Sequence, residues 1–243
     1  FLNIKKMKNV GLILAAGKGT RLKTKNKKIF TLINNKTLVD HSIDNLKKIG
    51  LEVNVLINKK DRKYFTRTDC NFFFQNKALG TGHAVKILLK KIKKFKKCLI
   101  INADTPFVHE YDLRKALMGT ISSHLCILGY LMKRNVSSGV FYKISKDKFV
   151  IKEYDLLNKN DKKSGLCNSG VIAFDKKISN EFFKIKKNEK KKEYLITDIL
   201  EIISNTKYKT KIIKAKYPKL CQGVNTINDL IKIKNIVKKN TSL

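Results

Sequence analysis

Val10 to Ala16 is a short apolar run that breaks at once into Gly17-Lys18-Gly19-Thr20 and ends on Arg21. Glycines at such a break let backbone N–H groups close on anionic oxygens with no Cβ in the way. Lys18 and Arg21 supply countercharge, so the stretch has the chemistry of a phosphate-holding loop behind a buried strand. Leu14, Ala15, Ala16 and Gly17 are the residues whose main chain would meet the phosphates. Two familiar phosphate loops do not fit. A Walker A loop needs four residues between its glycines, then Lys and Ser or Thr; here five separate Gly11 from Gly17, and Gly19 follows Lys18. The dinucleotide fingerprint needs a glycine where Leu22 stands. Lys28, seven residues beyond Arg21, is spaced to reach the same phosphates from the far side.

Three further segments carry groups with defined chemistry. Gln75 ends an apolar strand, and Gly80-Thr81-Gly82 stands just before a predicted helix. A glutamine amide offers a donor and an acceptor together, which suits the Watson–Crick edge of uracil, and the glycine-rich backbone allows close approach to a flat base. His83 reads as a helix N-terminal residue with no catalytic role. Leu99 to Asp104 is a buried strand ending in Asn102-Ala103-Asp104. A carboxylate at the carboxyl end of a central strand can hold Mg²⁺ against a triphosphate, since Mg²⁺ keeps several waters and takes one or two protein ligands. A helix N-cap is the alternative for Asp104. Gly139 opens a predicted hairpin where a backbone amide can approach a sugar phosphate. Glu153, at the hairpin's end, can accept hydrogen bonds from sugar hydroxyls or stand as a plain surface carboxylate.

Strands are predicted at 10–15, 53–57, 71–74, 98–101, 125–131, 168–174 and 211–215. Helices are predicted at 38–49, 83–94 and 110–118, with an amphipathic helix at 226–238 and the hairpin at 139–153. This alternation implies an α/β fold, a mixed sheet covered by helices. Lys184 to Lys192 is charge-dense and reads as a mobile loop. A chain of 243 residues can bury one large core, and no linker or internal repeat divides it.

The net charge of +35 invites a nucleic-acid or membrane-surface reading. Only five of the 54 basic residues are arginine, the residue suited to bidentate phosphate and base-edge contacts, and the lysines are spread through every segment. Specific nucleic-acid binding is therefore not expected. No apolar run approaches the roughly 18 residues that cross a bilayer. Five cysteines without a Cys-x-x-Cys pair point to reduced, buried thiols and a cytoplasmic protein rather than a zinc site.

The first loop resembles the Leu-Ala-Ala-Gly-x-Gly-Thr-Arg signature of the sugar-nucleotide pyrophosphorylases. Lys28 matches the lysine of that family's Pro-Lys-x-Leu element, with Lys27 in place of the proline. Gln75 to Ala84 is very similar to the Gln-x-x-x-Leu-Gly-Thr-Gly-His-Ala run of bacterial N-acetylglucosamine-1-phosphate uridyltransferases, the N-terminal half of bifunctional enzymes. Asn168 matches an Asn-Thr-Gly element whose asparagine contacts sugar. Glu193 to Asp198 resembles a Glu-Tyr-Tyr-Leu-Thr-Asp motif lining the sugar side, and Asn225 stands in a Gly-Val-Asn element. The resemblance covers about residues 8 to 235. It implies a three-layer, Rossmann-like nucleotidyltransferase fold, with residues 1–7 an extension, 8–243 a single domain and the family's β-helix acetyltransferase domain absent from the chain.

The same resemblance implies a reaction of UTP with a sugar-1-phosphate, most closely N-acetylglucosamine-1-phosphate. Arg21 and Lys28 would be catalytic. Leu14, Ala15, Ala16, Gly17, Lys28, Gln75, Gly80, Thr81, Asn102, Ala103 and Asp104 would bind nucleotide, and Gly139, Glu153, Asn168 and Asn225 the sugar. Asp104 and Asn225 would hold Mg²⁺. Oligomeric state is left open. The departures fall on the sugar side: Asn102 replaces an aromatic, Ser137-Ser138-Gly139-Val140 loses a tyrosine and an arginine, and Tyr154-Asp155-Leu156 follows Glu153. Two other readings stand beside this one: transfer with another nucleotide or sugar phosphate, and a non-catalytic nucleotide- or polyanion-binding protein.

Overall fold

The structure, a computed structural model, describes residues 7–17, 27–132, 138–145, 148–160 and 165–240. Its elements follow in order: β1 (Val10–Leu14), β2 (Leu32–Ile33), β3 (Lys36–Thr37), α1 (Leu38–Lys48), β4 (Glu52–Ile57), β5 (Asn71–Phe74), α2 (Thr81–Lys91) and β6 (Lys97–Asn102). Then come α3 (Glu110–Gly119), β7 (Leu125–Met132), β8 (Val140–Ser145), β9 (Lys148–Lys152), β10 (Gly165–Asp175), α4 (Ile199–Ser204), β11 (Thr210–Lys214) and α5 (Ile227–Asn240). The main sheet runs β11-β7-β10-β6-β1-β4-β5, and the hairpin β8–β9 joins it through β10.

β6, β1, β4 and β5 are parallel, in registers that set Leu14 beside both Asn102 and Leu56, and Ile57 beside Phe74. Parallel strands buried on both faces read as continuous apolar runs, as Val10–Leu14 and Cys98–Ile101 do. Side-chain alternation then splits the core in two. Ile13, Leu99 and Ile101 pack with Val39, Ile43 and Leu46 of α1 and Leu113 and Ala116 of α3. Leu12, Cys98 and Ile100 pack on the other face with Val85 and Leu88 of α2 and Ile199 and Ile203 of α4. The result is the mixed sheet covered by helices expected from the alternation, in the three layers that the resemblance implied.

α1 begins where Thr37 Oγ1 accepts the Asp40 N–H at 3.1 Å, an N-cap. It buries Leu38, Val39, Ile43 and Leu46, each contributing roughly 1.5–3 kcal/mol by leaving water. α5 docks through Ile233 onto Ile33, Leu38, Leu220 and Val224. Cys98, Cys126, Cys167 and Cys221 are buried free thiols. No helix among the described residues is long and apolar enough to cross a membrane.

One buried carboxylate holds the chain between β11 and α5 in place. Asp112, fully buried on α3, accepts the Lys216 N–H at 2.8 Å and the Tyr217 N–H at 3.0 Å. Hydrogen bonds to a charged acceptor are the strong ones, so Asp112→Ala is expected to cost about 2–3 kcal/mol of stability. An unchanged urea midpoint in that variant would contradict the assignment.

Candidate active site

Because β1, β4, β5 and β6 are parallel, their carboxyl ends lie on one edge of the sheet, the place where open α/β sheets bind ligands. The segments that follow them there are Ala15–Gly17, Gln75 and Ala103–Asp104. β10 runs antiparallel to β6, with Ile172 opposite Ile100, so its earlier residues reach the same edge. A break in register between Asn168 and Ile172 bulges β10 there. Bulges commonly re-aim side chains beside sites. The bulge is held by Ser169 Oγ, which donates to Leu128 O at 2.7 Å and accepts the Val171 N–H at 3.2 Å.

These ends enclose a cleft of about 720 Å³. Of the residues singled out in the sequence, Leu14, Ala15, Ala16, Gly17, Lys28, Gln75, Gly80, Thr81, Asn102, Ala103, Asp104, Gly139, Glu153, Asn168 and Asn225 all line it. Lys18 to Arg21 lie outside the described residues.

At the cleft's centre is a three-member polar cluster. Lys28, buried at the start of a 3-10 turn, donates from Nζ to Asp104 Oδ2 at 2.6 Å and to Asn225 Oδ1 at 2.9 Å. Residues 28, 104 and 225 come from three distant parts of the chain. Each is locally fixed. The Val224 N–H donates to Asp104 O at 2.8 Å, tying the Gly-Val-Asn segment to the end of β6. Asp229 Oδ2 accepts the N–H groups of Asn225 and Thr226 at 3.0 and 2.8 Å, while Thr226 Oγ1 accepts the Asp229 N–H. That reciprocal cap aims Asn225 from the N-terminus of α5.

The two side-chain oxygens converge on one cationic nitrogen, the Lys28 ammonium. A carboxylate and an amide oxygen suit hard Mg²⁺, which would draw its remaining ligands from phosphates and water. No cluster of three or more His, Cys, Asp or Glu that could hold a metal occurs among the described residues.

The side of the cleft around Gln75 and Gly80 is more tightly built than its sequence suggests. Gly80 has φ +100°, and a Cβ there would stand 2.5 Å from the Tyr194 carbonyl oxygen. The close approach that this glycine permits is therefore to the protein's own main chain. Around it, Tyr194 N donates to Leu79 O, Gly82 N to Tyr194 O, and Ile196 N to Thr81 Oγ1 at 3.1 Å. Gln75 is buried, and its Nε2 lies 2.7 Å from His83 Nδ1.

On the opposite side, Asn168 Oδ1 accepts the Gly170 N–H at 3.0 Å, which leaves its amide hydrogens to donate. Gly170 has φ +78°, and a Cβ would collide with Asn102 Nδ2 at 2.5 Å. Glu153 accepts from Thr197 Oγ1 at 3.0 Å and sits 3.8 Å from Lys191 Nζ. Glu193, Leu195, Ile196 and Thr197 line the cleft, whereas Asp198 does not.

The segment expected to be a mobile lysine-rich loop is instead a structured turn. Asn188 Oδ1 accepts the N–H groups of Lys190 and Lys191, Asn188 N donates to Glu193 O, and Lys187 bridges Tyr194. Charge density marked this stretch in the sequence. The acceptor that organises it, a single asparagine, was hidden among the lysines. Lys27, read only as a substituted proline, lines the cleft and pairs with buried Asp61 at 2.7 Å. The Thr226-x-x-Asp229 capping pattern was readable in the sequence and would have marked the support of Asn225.

Burial pushes the Asp198 carboxyl up to about 6, with the charges of Glu153 and Glu201 adding to it. Its side chain makes no cap hydrogen bond at the start of α4. The folded state therefore holds this proton more tightly than the unfolded chain, whose carboxyl has the ordinary value near 3.8. Stability should fall as pH rises from about 4 to about 6, and stay lowered above that. Asp198→Asn is expected to melt higher than the natural protein at pH 7 and equally at pH 4. A melting difference that does not vary across that window would contradict this.

Residues 11–128 match the MobA-like NTP transferase domain family. Among curated proteins, bifunctional protein GlmU of Buchnera aphidicola subsp. Baizongia pistaciae is 26% identical over 235 residues, covering 94% of this chain and 52% of that protein. GlmU of Clostridioides difficile is 28% identical over 235 residues, with 94% and 51% covered. The chain thus spans about half the length of the curated relatives it matches. Among solved structures, HddC from Yersinia pseudotuberculosis superposes with a TM-score of 0.69 at 21% identity, covering 95% of this chain and all of that one. The 4-diphosphocytidyl-2C-methyl-D-erythritol synthase of Anaerococcus prevotii does so at 0.65 and 17%, covering 96% and 99%. These last two likenesses concern the fold. The chain thus shares their α/β fold, and its residues 11–128, just under half of it, are similar to the MobA-like NTP transferase domain family.

Proposed function

We propose that this chain transfers UMP from UTP to a sugar-1-phosphate, N-acetylglucosamine-1-phosphate first among them, releasing pyrophosphate. Residues 8–243 are read as one domain with Mg²⁺ as its cofactor. The observation that supports the reading most is the convergence of Asp104 Oδ2 and Asn225 Oδ1 on one cation position at the end of β6.

An oxygen of the sugar phosphate attacks the α-phosphorus, the α–β bridging bond breaks, and its electrons leave on pyrophosphate. The attacking phosphate is already ionised, so no side chain need act as base, and position and charge supply the rate. The main chain after β1 meets the phosphates. Gln75 and Thr81 select the base, Gly80 lets the Tyr194 main chain close beside them, and Gly139, Glu153 and Asn168 orient the sugar. Mg²⁺ held by Asp104 and Asn225 would neutralise phosphate charge. For those oxygens to be free, the Lys28 ammonium must leave them, and a triphosphate gives it new oxygens to pair with. Arg21 would add its charge on the same phosphates, by the family resemblance of its loop.

Incubating the protein with Mg²⁺, each of the four NTPs and a panel of sugar-1-phosphates, while measuring pyrophosphate, tests the reading. Release is expected with UTP and depends on the sugar phosphate. Release with CTP or GTP in preference to UTP would overturn the choice of base.

A further inference from the structure

Gln75 is the group on which base selection rests, and an amide is ambiguous by itself. Turned one way it presents an oxygen, turned the other an NH₂. Uracil and cytosine differ in the same respect. Uracil carries a donor at its ring N3 and an oxygen at C4; cytosine carries a lone pair at N3 and an amino group at C4. Selecting between them therefore needs an amide that cannot turn over.

The structure supplies such a restraint. Gln75 N donates to Ile57 O at 2.9 Å, fixing the backbone at the end of β5, and Gln75 Nε2 lies 2.7 Å from His83 Nδ1. An amide nitrogen can only donate, so Nδ1 must accept, and a neutral imidazole then carries its proton on Nε2. His83 is held in the first turn of α2, which starts after Gly80. Its ring lies 5.9 Å from that of Tyr194, which also faces the Lys86 ammonium at 4.7 Å. Lys86 is itself tied to Ile185 O. Burial first, then the positive charges of Lys86 and Lys90, lower the imidazole's affinity for a second proton and keep Nδ1 an acceptor.

We infer that His83 is a positioning residue: its Nδ1 holds the nitrogen of the Gln75 amide, leaving the amide oxygen to accept from the base and so favouring a ring N–H over a ring lone pair. This rests on the uridine reading of the cleft. It gives His83, which the sequence offered only as a helix-start residue, a part in specificity without contact with substrate.

Two measurements test it, one of them free of any ligand. In the nucleotide-free protein, ¹⁵N shifts of the His83 ring at pH 7.5 should report a protonated Nε2 and a bare Nδ1. The opposite tautomer would overturn the inference whatever the protein binds. The second measures Kd for UTP and for CTP by calorimetry in three proteins. His83→Phe keeps a flat ring but no acceptor, and should narrow the UTP-over-CTP ratio by at least about tenfold. His83→Asn returns an acceptor at the Nδ1 position and should restore most of the ratio. A Phe variant that folds and keeps the natural ratio would overturn the positioning role, as would an Asn variant no better than Phe. Natural protein that binds CTP as tightly as UTP while showing the expected tautomer would instead count against the uridine reading.

Discussion

Asp104→Ala is expected to lower turnover at least ~10²-fold, the scale of losing a key electrostatic contact in a reaction run by charge neutralisation. Asp104 supplies the only full negative charge of the Lys28–Asp104–Asn225 cluster. Its removal also strands the buried Lys28 ammonium, and stranded charges destabilise. Asp104→Asn separates the two effects. The amide oxygen can still accept from Lys28, so the fold is kept, but the charge is gone. Both variants should lose turnover at saturating Mg²⁺, and only the alanine should lose melting temperature as well. Turnover near the natural level in Asp104→Asn would overturn the proposed metal-holding role of Asp104.

Lys28→Met should change two quantities in opposite directions. Turnover is expected to fall about 10²- to 10³-fold, because the developing charge on the phosphates loses a donor. Binding of Mn²⁺ to the nucleotide-free protein, followed by electron paramagnetic resonance, should tighten at least about tenfold. An ammonium about 4 Å from a second cation repels it by roughly 4 kcal/mol at an effective dielectric near 20, and in the natural protein that ammonium sits on both oxygens. A merely structural lysine would weaken both. Unchanged Mn²⁺ affinity in the variant would contradict the shared cation position.

The framework of this fold was legible because its strands are apolar on both faces. Val10–Leu14, Glu52–Ile57 and Lys97–Asn102 all lie within a residue or two of their expected bounds. Once those strands are parallel, Ala15–Gly17, Gln75 and Asp104 must share an edge, so their meeting in one cleft follows from order along the chain. What local pattern could not carry was the support behind them. Asn188 organises a lysine-rich turn through its own side chain, and Asp112 reaches the loop at 216–217 across about a hundred residues. Gly80 reads in sequence as room for a ligand, yet the atom nearest its missing Cβ is the Tyr194 carbonyl oxygen, because the partner strand of main chain comes from 114 residues later. His83 is the same case: period and propensity describe its helix, while its meaning depends on which nitrogen faces Gln75.

The central proposal is that the α-phosphate of UTP passes to a sugar phosphate in this cleft. A single turnover of α-³²P-labelled UTP with excess protein, Mg²⁺ and N-acetylglucosamine-1-phosphate tests it. Label should appear in a UDP-sugar, with unlabelled pyrophosphate released, and should stay in UTP with Asp104→Asn. Label that stays in UTP with the natural protein, or that appears as free UMP without regard to the sugar phosphate, would contradict it.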